Sequence, residues 1–311
     1  MKIVALAGGV GGAKMAEGLA HVLPAIDLTV VVNTGDDFEH FGLTICPDLD
    51  TVCYTLAGLA NLETGWGRAD ESQNALREAA LLGGPTWFSL GDRDLGTHLE
   101  RTRRLNAGDS LSAITADFCR AWGIEARVLP MSDQPARTIV DTDQGELPFQ
   151  EYFVAHACEP RVRGFRFAGV EQAKPAPGVL DEIATADLAV ICPSNPWVSV
   201  APILAVPGIR EAIAEKVVLA VSPIIGGKAV KGPAAKMFSE LGIEPSALAV
   251  AQYYKDLLRG FVFDEVDSAH STAIHELGIM PFAAATIMQD RADRARLAGQ
   301  VIDFGRRLLD K

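Results

Sequence analysis

Short, nearly unbroken apolar runs alternate with longer amphipathic segments along most of the chain, a pattern typical of parallel strands buried on both faces. The apolar runs predict strands at 2–7, 28–33, 127–129, 186–192, 216–222 and 261–263. The segments between them predict helices at 13–23, 48–60, 72–82 and 110–122, and an amphipathic helix at 291–309. This alternation predicts an α/β fold, a doubly wound and mostly parallel Rossmann-like sheet.

One segment departs from the alternation. Residues 137–140, 147–154 and 161–167 have the pattern of strands, and 141–145 has the composition of a hairpin connection. We therefore predict a small antiparallel α+β subdomain at 131–172. It is inserted into an α/β core formed by 1–130 and 173–311.

The composition of the chain limits the kinds of molecule that we expect it to bind. The chain has 311 residues and a formal net charge of -12, the opposite of what a sequence-independent grip on nucleic acid requires. Its apolar runs are shorter than the roughly 20 residues of a membrane span. Five scattered cysteines without a C-x-x-C pair favour reduced thiols rather than zinc or disulfides. We expect a cytoplasmic protein whose partners are small molecules, not nucleic acid or membrane.

A glycine-rich segment follows the first predicted strand and ends near Lys14. Its glycines are Gly8, Gly9, Gly11 and Gly12. A strand that ends in glycine and restarts as a helix directs backbone N–H groups and the helix dipole at one spot, which favours a phosphate. The dinucleotide fingerprint lacks its third glycine, where Lys14 stands, and the Walker pattern lacks its Gly-Lys-Ser/Thr end. We predict a diphosphate-binding loop at 8–12, with a tight turn that binds no ligand as the alternative.

Polar, glycine or charged residues also follow the other long predicted strands, and ligands of open α/β sheets bind at these carboxyl ends. A rigid hydroxyl and amide suit a base or ribose, and glycines can offer N–H groups to phosphate or base edges. The residues predicted on this basis to hold a nucleotide are Ser194, Asn195, Gly226, Gly227 and Lys228.

Two acidic groups lie close to the second strand end, Asp36–Asp37 and Asp48-x-Asp50. Magnesium commonly bridges one or two carboxylates to substrate phosphates. We assign Asp37, Asp48 and Asp50 to a Mg²⁺ ion. A solvated turn at 36–37 and a plain N-cap at Asp48 are the alternatives.

Adjacent aromatics, Trp87 and Phe88, precede a charged Gly-Asp-Arg-Asp segment that we interpret as a loop. Such a pair predicts a stacking wall for a planar ring system, with polar groups beside it. The alternative is a pair of core aromatics next to a salt-bridged turn.

Seven motifs, taken in order, closely resemble those of the 2-phospho-L-lactate transferase (CofD) family. They are NTGDD at 33–37, PDLDT at 47–51, GWG at 65–67, LGDRD at 90–94, LPMSD at 129–133, PSNP at 193–196 and SPIIGG at 222–227.

The resemblance implies a transferase of coenzyme F-420 biosynthesis. Such enzymes move 2-phospholactate, phosphoenolpyruvate or 3-phosphoglycerate from its guanosine diphosphate ester to the ribityl hydroxyl of the deazaflavin Fo. They release GMP and require Mg²⁺. We expect a homodimer, the commonest symmetric oligomer. The expected functional partners are the guanylyltransferase and glutamate ligase of the same pathway.

The resemblance also distributes roles along this sequence. Asp50 matches an aspartate implicated in Fo binding, and Ser89 stands where some relatives have a basic residue. We assign catalysis to Asp50, Asp37 and Lys14, with Asp50 as first choice of base. The residues assigned to Fo are Asp50, Trp87, Ser89, Asp92 and Arg93.

Two other classes remain as alternatives. A non-catalytic, nucleotide-sugar-binding regulator of the gluconeogenesis-factor type shares the glycine-rich start and the acidic second strand end. An NAD(P) dehydrogenase is disfavoured by Lys14 and by Asn33, which stands where a ribose-binding acid is expected.

Overall fold

A computed structural model describes residues 1–310. The strands are β1 (Ile3–Ala7), β2 (Leu28–Val32), β3 (Phe38–His40), β4 (Leu43–Ile45), β5 (Arg127–Pro130), β6 (Arg137–Thr142), β7 (Gly145–Pro148), β8 (Val162–Ala168), β9 (Leu188–Ile191), β10 (Val217–Val221), β11 (Ile224–Ile225), β12 (Lys228–Ala229), β13 (Gly260–Asp264) and β14 (Met280–Ala284).

The α-helices are α1 (Gly9–Val22), α2 (Pro47–Leu56), α3 (Asn74–Leu81), α4 (Asp92–Asn106), α5 (Leu111–Ala121), α6 (Val179–Thr185), α7 (Ala201–Ala205), α8 (Ile209–Ala214), α9 (Ala234–Glu240), α10 (Ala247–Tyr253), α11 (Ser271–Glu276) and α12 (Arg291–Leu309). Short 3₁₀ helices lie at Ala25–Asp27, Val170–Gln172 and Glu265–His270, and π-helical turns at Glu151–Ala155 and Pro196–Val200. None of the helices within residues 1–310 combines the length and the apolar character needed to cross a bilayer.

The main sheet has seven strands in the order β14-β13-β10-β9-β1-β2-β5, and every pairing in it is parallel. Alternate residues of β1 point to opposite faces: Val4 and Leu6 join one apolar core, and Ile3 and Ala5 join the other. Helices α1, α2 and α12 cover one face, and α6, α8 and α10 cover the other. The structure therefore confirms the doubly wound α/β sheet.

The strand order reverses at the middle of the sheet. β1 pairs with β2 on one side and with β9 on the other. The connections that leave β1 and β9 therefore run to opposite sides, and a crevice opens between their carboxyl ends.

A separate antiparallel sheet, in the order β7-β6-β8, lies within residues 131–172. Thr142 pairs with Gly145, which leaves a two-residue hairpin turn. The strand predicted at 147–154 is wrong beyond Pro148, because the chain turns there into the π-helical segment. Val140 and Val162 pack into the same apolar core as Val4 of the main sheet, so the small sheet is anchored to the larger one.

Helix α4 and the β3–β4 hairpin are absent from the sequence prediction. Helix α4 contains the Gly-Asp-Arg-Asp segment, so its interpretation as a loop was wrong. Only Thr97, His98 and Arg101 of α4 are buried, and a helix without an apolar stripe gives no periodic signal. Acidic residues in its first turn and arginines in its last complement the helix dipole.

Helix α1 packs closely against α12 at Gly18. A Cβ at this position would lie 2.3 Å from the carbonyl oxygen of Arg294. Backbone atoms move only if the helices separate, so the position requires a residue without a Cβ atom, which is glycine. Gly299 of α12 has open space where its Cβ would stand.

We predict opposite effects for alanine at these two helical glycines. Gly18→Ala should lower the free energy of unfolding by about 1–3 kcal/mol, because the new methyl group overpacks the interface. Gly299→Ala should raise it by up to about 1 kcal/mol through helix propensity. Urea unfolding followed by circular dichroism checks both values, and a stable Gly18→Ala variant would contradict the packing argument.

Candidate functional site

A cavity of about 880 Å³ lies at the carboxyl ends of the central strands, a volume typical of small-molecule sites. The starts of α1, α2 and α4 and the loops after β9, β10 and β14 contribute to its lining. The predicted site residues found in the lining are Gly8, Gly9, Gly11, Lys14, Asp48, Asp50, Trp87, Ser89, Ser194 and Asn195. The predicted site residues outside the lining are Gly12, Asp37, Asp92, Arg93, Gly226, Gly227 and Lys228.

The glycine-rich segment is not an open loop, because α1 begins at Gly9. A Cβ on Gly11 would lie 2.2 Å from the carbonyl oxygen of Pro193, and one on Gly12 would lie 2.6 Å from Ser194 Oγ. These glycines therefore allow the first turn of α1 to pack against the end of β9. The prediction of a loop at 8–12 was wrong, although the segment does face the cavity.

The carboxylate of Asp48 caps α1. The Gly9 N–H donates a hydrogen bond of 2.7 Å to Asp48 Oδ1, and Asn33 Nδ2 donates one of 2.9 Å to Asp48 Oδ2. Burial raises the pKa of Asp48 to about 6, and the hydrogen bonds from Asn33 and Gly9 oppose that rise. The next two amides, of Val10 and Gly11, lack carbonyl partners within α1, because the residues four positions earlier lie in β1.

Asp36 also lines the cavity, whereas the sequence analysis chose its neighbour Asp37. Asn33 Nδ2 lies 3.0 Å from Asp36 Oδ1, and Gln150 Nε2 lies 3.3 Å from Oδ2. Burial, followed by the charges of Asp48 and Asp37, raises the pKa of Asp36 well above its ordinary value. No ion pair with Lys, Arg or His reaches Asp36 or Asp48 within residues 1–310.

Asp37 is buried behind the cavity wall. Its Oδ2 atom lies 3.8 Å from Arg137 Nη1, and its Oδ1 atom lacks a hydrogen-bond partner in the part of the chain that the structure describes. Burial raises the pKa of Asp37 to about 7, and the positive charge of Arg137 opposes the rise. Asp37, unlike Asp36, is therefore not among the residues that line the cavity.

Asp50 is held by a buried arginine that the sequence analysis missed. Arg101 Nη1 donates to Asp50 Oδ2 at 3.0 Å, and Arg101 Nη2 donates to Oδ1. The guanidinium is 2% exposed. Because 51 residues separate the partners, spacing could not reveal the pair. Asp50 is therefore a fixed acceptor on the cavity wall.

His98 extends this network from the preceding turn of α4. Its Nδ1 atom lies 3.2 Å from Arg101 Nη1, and because a guanidinium only donates, Nδ1 is the acceptor and Nε2 carries the hydrogen. Nε2 lies 3.4 Å from Asp94 Oδ2, and Asp94 Oδ1 accepts a 2.6 Å hydrogen bond from Tyr54. Asp50, Asp94 and His98 thus form one polar wall of the cavity.

An aromatic wall stands beside these groups. Trp87 and Phe88 both line the cavity, with ring centroids 5.6 Å apart. The β3–β4 hairpin supports them, because Trp87 lies 5.1 Å from His40 and Phe88 lies 4.8 Å from Phe38 in edge-to-face geometry. Ser89, the next residue, accepts a 2.8 Å hydrogen bond from Gln73 Nε2.

Ser194 and Asn195 line the cavity while bonding to the protein. Ser194 Oγ donates to the Gly8 carbonyl at 2.7 Å and accepts from the Gly8 N–H at 3.1 Å, so it joins the ends of β1 and β9. Asn195 Oδ1 accepts from Trp197 N, and its Nδ2 atom meets only Met237 Sδ at 3.3 Å. Since sulfur is a weak acceptor, the Asn195 amide retains donor capacity.

Asp92, which was predicted to contact the ligand, lies outside the cavity lining and binds the start of α3. Its carboxylate accepts hydrogen bonds from Ser72 Oγ and from the backbone N–H groups of Asn74 and Ala75, and so caps α3. The hydrogen bond from Ser72 is the main cause that lowers the pKa of Asp92 to about 2. Arg93 is exposed and reaches the carbonyl of Ala69 at 3.4 Å.

Gly226 and Gly227 form the two-residue turn between β11 and β12. Their φ angles of +55° and +76° give a type I′ hairpin turn, which explains both glycines. The Gly226 N–H donates to Asp267 Oδ2 at 3.0 Å. Lys228 is exposed on β12, so this tripeptide lies outside the cavity lining.

Comparison with known proteins agrees with this architecture. The family profile for 2-phospho-L-lactate transferase CofD matches residues 3–279. A phosphoenolpyruvate transferase from Streptomyces griseus is 47% identical over 98% of both chains. A 2-phospho-L-lactate transferase from Methanosarcina mazei is 39% identical over 96% of this chain and 99% of its own.

Among solved structures, a protein of the UPF0052 family from Bacillus halodurans superposes with a TM-score of 0.64. It covers 97% of this chain and 98% of its own at 14% identity, a likeness that concerns the fold alone. The sequence similarity extends over nearly the whole chain and includes the elements that build the cavity. The chain therefore belongs to the 2-phospho-L-lactate transferase (CofD) family and is a transferase of phospho-acids.

Proposed function

We propose that this enzyme transfers a phosphoenolpyruvyl group from its guanosine diphosphate ester to the ribityl hydroxyl of Fo, in coenzyme F-420 biosynthesis. One observation carries the proposal: a single cavity joins the glycine-rich start of α1 to the Trp87–Phe88 wall. The choice of acid follows the Streptomyces griseus relative, whose name specifies phosphoenolpyruvate. The hydroxyl oxygen forms a bond to the acid's phosphorus, the bond from that phosphorus to GMP breaks, and GMP leaves with the electron pair.

The start of α1 binds the donor diphosphate in this proposal. The Val10 and Gly11 amides are open there, and Lys14 comes from the next turn. Lys14 Nζ donates to the Met288 carbonyl at 2.8 Å, a neutral partner that a phosphate replaces with a stronger, charge-assisted bond. Phosphoryl transfer depends mainly on such positioning and charge neutralisation.

Asp36 and Asp48 suit a Mg²⁺ ion better than the other carboxylates do. Both are buried, line the cavity and carry raised pKa values with no cation beside them, and Mg²⁺ prefers such oxygen donors. Arg101 already binds both oxygens of Asp50. We therefore assign the metal to Asp48 and Asp36 rather than to Asp37 and Asp50. When bound there, Mg²⁺ would neutralise charge on the diphosphate.

The polar wall then orients the acceptor. Trp87 and Phe88 stack on the deazaflavin ring, and Asp50, fixed by Arg101, accepts the hydrogen bond of the ribityl hydroxyl. A loose transition state requires little help from a base. Asp50 thus orients the attacking oxygen and receives its proton late.

The reaction itself tests the proposal. Fo is offered with Mg²⁺ and each of the three guanylated acids, and the products are identified by mass. We expect GMP and a phosphoenolpyruvyl-Fo adduct, with the other two acids transferred more slowly. If all three acids fail to release GMP, the regulator class becomes the better description.

The two carboxylates of α2 should respond differently to amide substitution. The pKa of Asp48 is raised in the folded state, so the folded protein binds the extra proton, and stability falls as the pH rises through about 4 to 6. With EDTA present, the free energy of unfolding of wild type should fall between pH 5 and pH 8. In Asp48→Asn this fall should be smaller by about 1 kcal/mol.

Asp50→Asn is the matched variant two residues later on the same helix. It leaves the Arg101 guanidinium buried without its carboxylate, so we expect a loss of about 3–5 kcal/mol at both pH values. Urea unfolding at pH 5 and pH 8 measures both variants. An equal pH response of wild type and Asp48→Asn would contradict the assignment of an uncompensated charge to Asp48.

Trp87→Ala should weaken Fo binding about tenfold, because the variant loses one stacking face of the ring. The change in Fo fluorescence on titration measures this affinity, and GDP affinity should stay constant. Trp122, which packs on Tyr54 and Phe118 but is not itself part of the cavity lining, provides the control as Trp122→Phe. Unchanged Fo affinity in Trp87→Ala would place the deazaflavin elsewhere.

A further inference from the structure

Two cationic side chains line the cavity within residues 1–310, Lys14 and Lys231. The acidic side chains in the same lining are Asp36, Asp48, Asp50 and Asp94. A diphosphate ester that enters this acidic surrounding depends on the few cations present. The sequence pattern predicts a role for Lys14 and none for Lys231.

Lys231 follows β12 and reaches a loop that lies 167 residues earlier in the chain. Its Nζ atom donates a 2.6 Å hydrogen bond to the carbonyl oxygen of Thr64. A Cβ on the next residue, Gly65, would lie 3.0 Å from Lys231 Nζ and 2.8 Å from Val10 Cγ1. The ammonium group is therefore close to the side chain of Val10, the second residue of α1.

Lys14 and Lys231 act on each other at this end of the cavity. Burial lowers the pKa of Lys14, and the positive charges of Arg294 and Lys231 lower it further. Each of the two lysines donates its hydrogen bond to a neutral carbonyl, of Met288 and Thr64 respectively. An anion between the lysines would replace their repulsion with two charge-assisted hydrogen bonds.

We infer that Lys231 is a second diphosphate-binding residue, which leaves the Thr64 carbonyl and joins Lys14 on the donor phosphates. The inference rests on the proposed function, because it takes the donor to be a diphosphate ester. A lysine suits this task, since its flexible stem carries a compact charge with three donors. Lys231 lies three residues beyond Lys228, the lysine to which the sequence analysis assigned the nucleotide.

The test measures the dissociation constants of GDP and of inorganic pyrophosphate, both with MgCl₂, by isothermal titration calorimetry. Lys231→Met should weaken both probes by roughly 10- to 100-fold, the loss of a hydrogen bond to a charged group. Lys216→Met is the matched control. Lys216 Nζ also donates to one backbone carbonyl, that of Ala184 at 2.6 Å, but Lys216 lies outside the cavity lining. The affinities of Lys216→Met for both probes should therefore stay within about twofold of wild type.

The outcomes separate this inference from the proposed donor. Wild-type affinity for both probes in Lys231→Met overturns the inference and leaves the guanosine donor in place. A loss confined to Lys228→Met also overturns it, in favour of the sequence-based assignment. If wild type binds pyrophosphate through Lys231 but does not bind GDP, the inference stands and the guanosine donor fails. If wild type binds neither probe, both fail.

Discussion

The geometry of the cavity depends on a carboxylate that is buried without a cation beside it. Asp48 accepts hydrogen bonds from Gly9 and Asn33, and so connects the start of α1, the end of β2 and the first turn of α2. The arrangement costs free energy when Asp48 is charged, as its raised pKa indicates. A proton or a divalent cation would offset that cost. Burial therefore creates a preference for positive charge at this end of the cavity, and the two hydrogen bonds reduce it only in part.

Helix geometry gives the two carboxylates of α2 different surroundings. Residues two positions apart project about 200° apart around a helix, so Asp48 faces α1 while Asp50 faces α4. The environment of Asp50 is complete, because Arg101 binds both of its oxygens. The environment of Asp48 and Asp36 contains amide donors but no cation. One short motif thus supplies a fixed hydrogen-bond acceptor and a carboxylate that still needs a counter-charge.

The glycine-rich segment illustrates how one sequence pattern can have two physical causes. Gly8, Gly9 and Gly11 do line the cavity, but contacts with Pro193 and Ser194 already require a missing side chain at Gly11 and Gly12. The sequence pattern is the same whether glycine makes room for a phosphate or for the protein's own backbone. Gly226 and Gly227 present the same ambiguity, which their left-handed φ angles resolve in favour of a hairpin turn.

The sequence by itself determined the parallel sheet, the family, and the place of its leading glycine-rich segment and of several other residues that line the cavity. Apolar periodicity and residues that follow a strand directly are local signals, and local signals survive in a linear pattern. Tertiary structure alone decided that Asp36 and not Asp37 lines the cavity, that Arg101 holds Asp50, and that Lys231 approaches Val10. Each of these outcomes depends on side-chain direction or on contacts between distant segments. Such contacts form only when the core has packed, and no spacing in the chain encodes them.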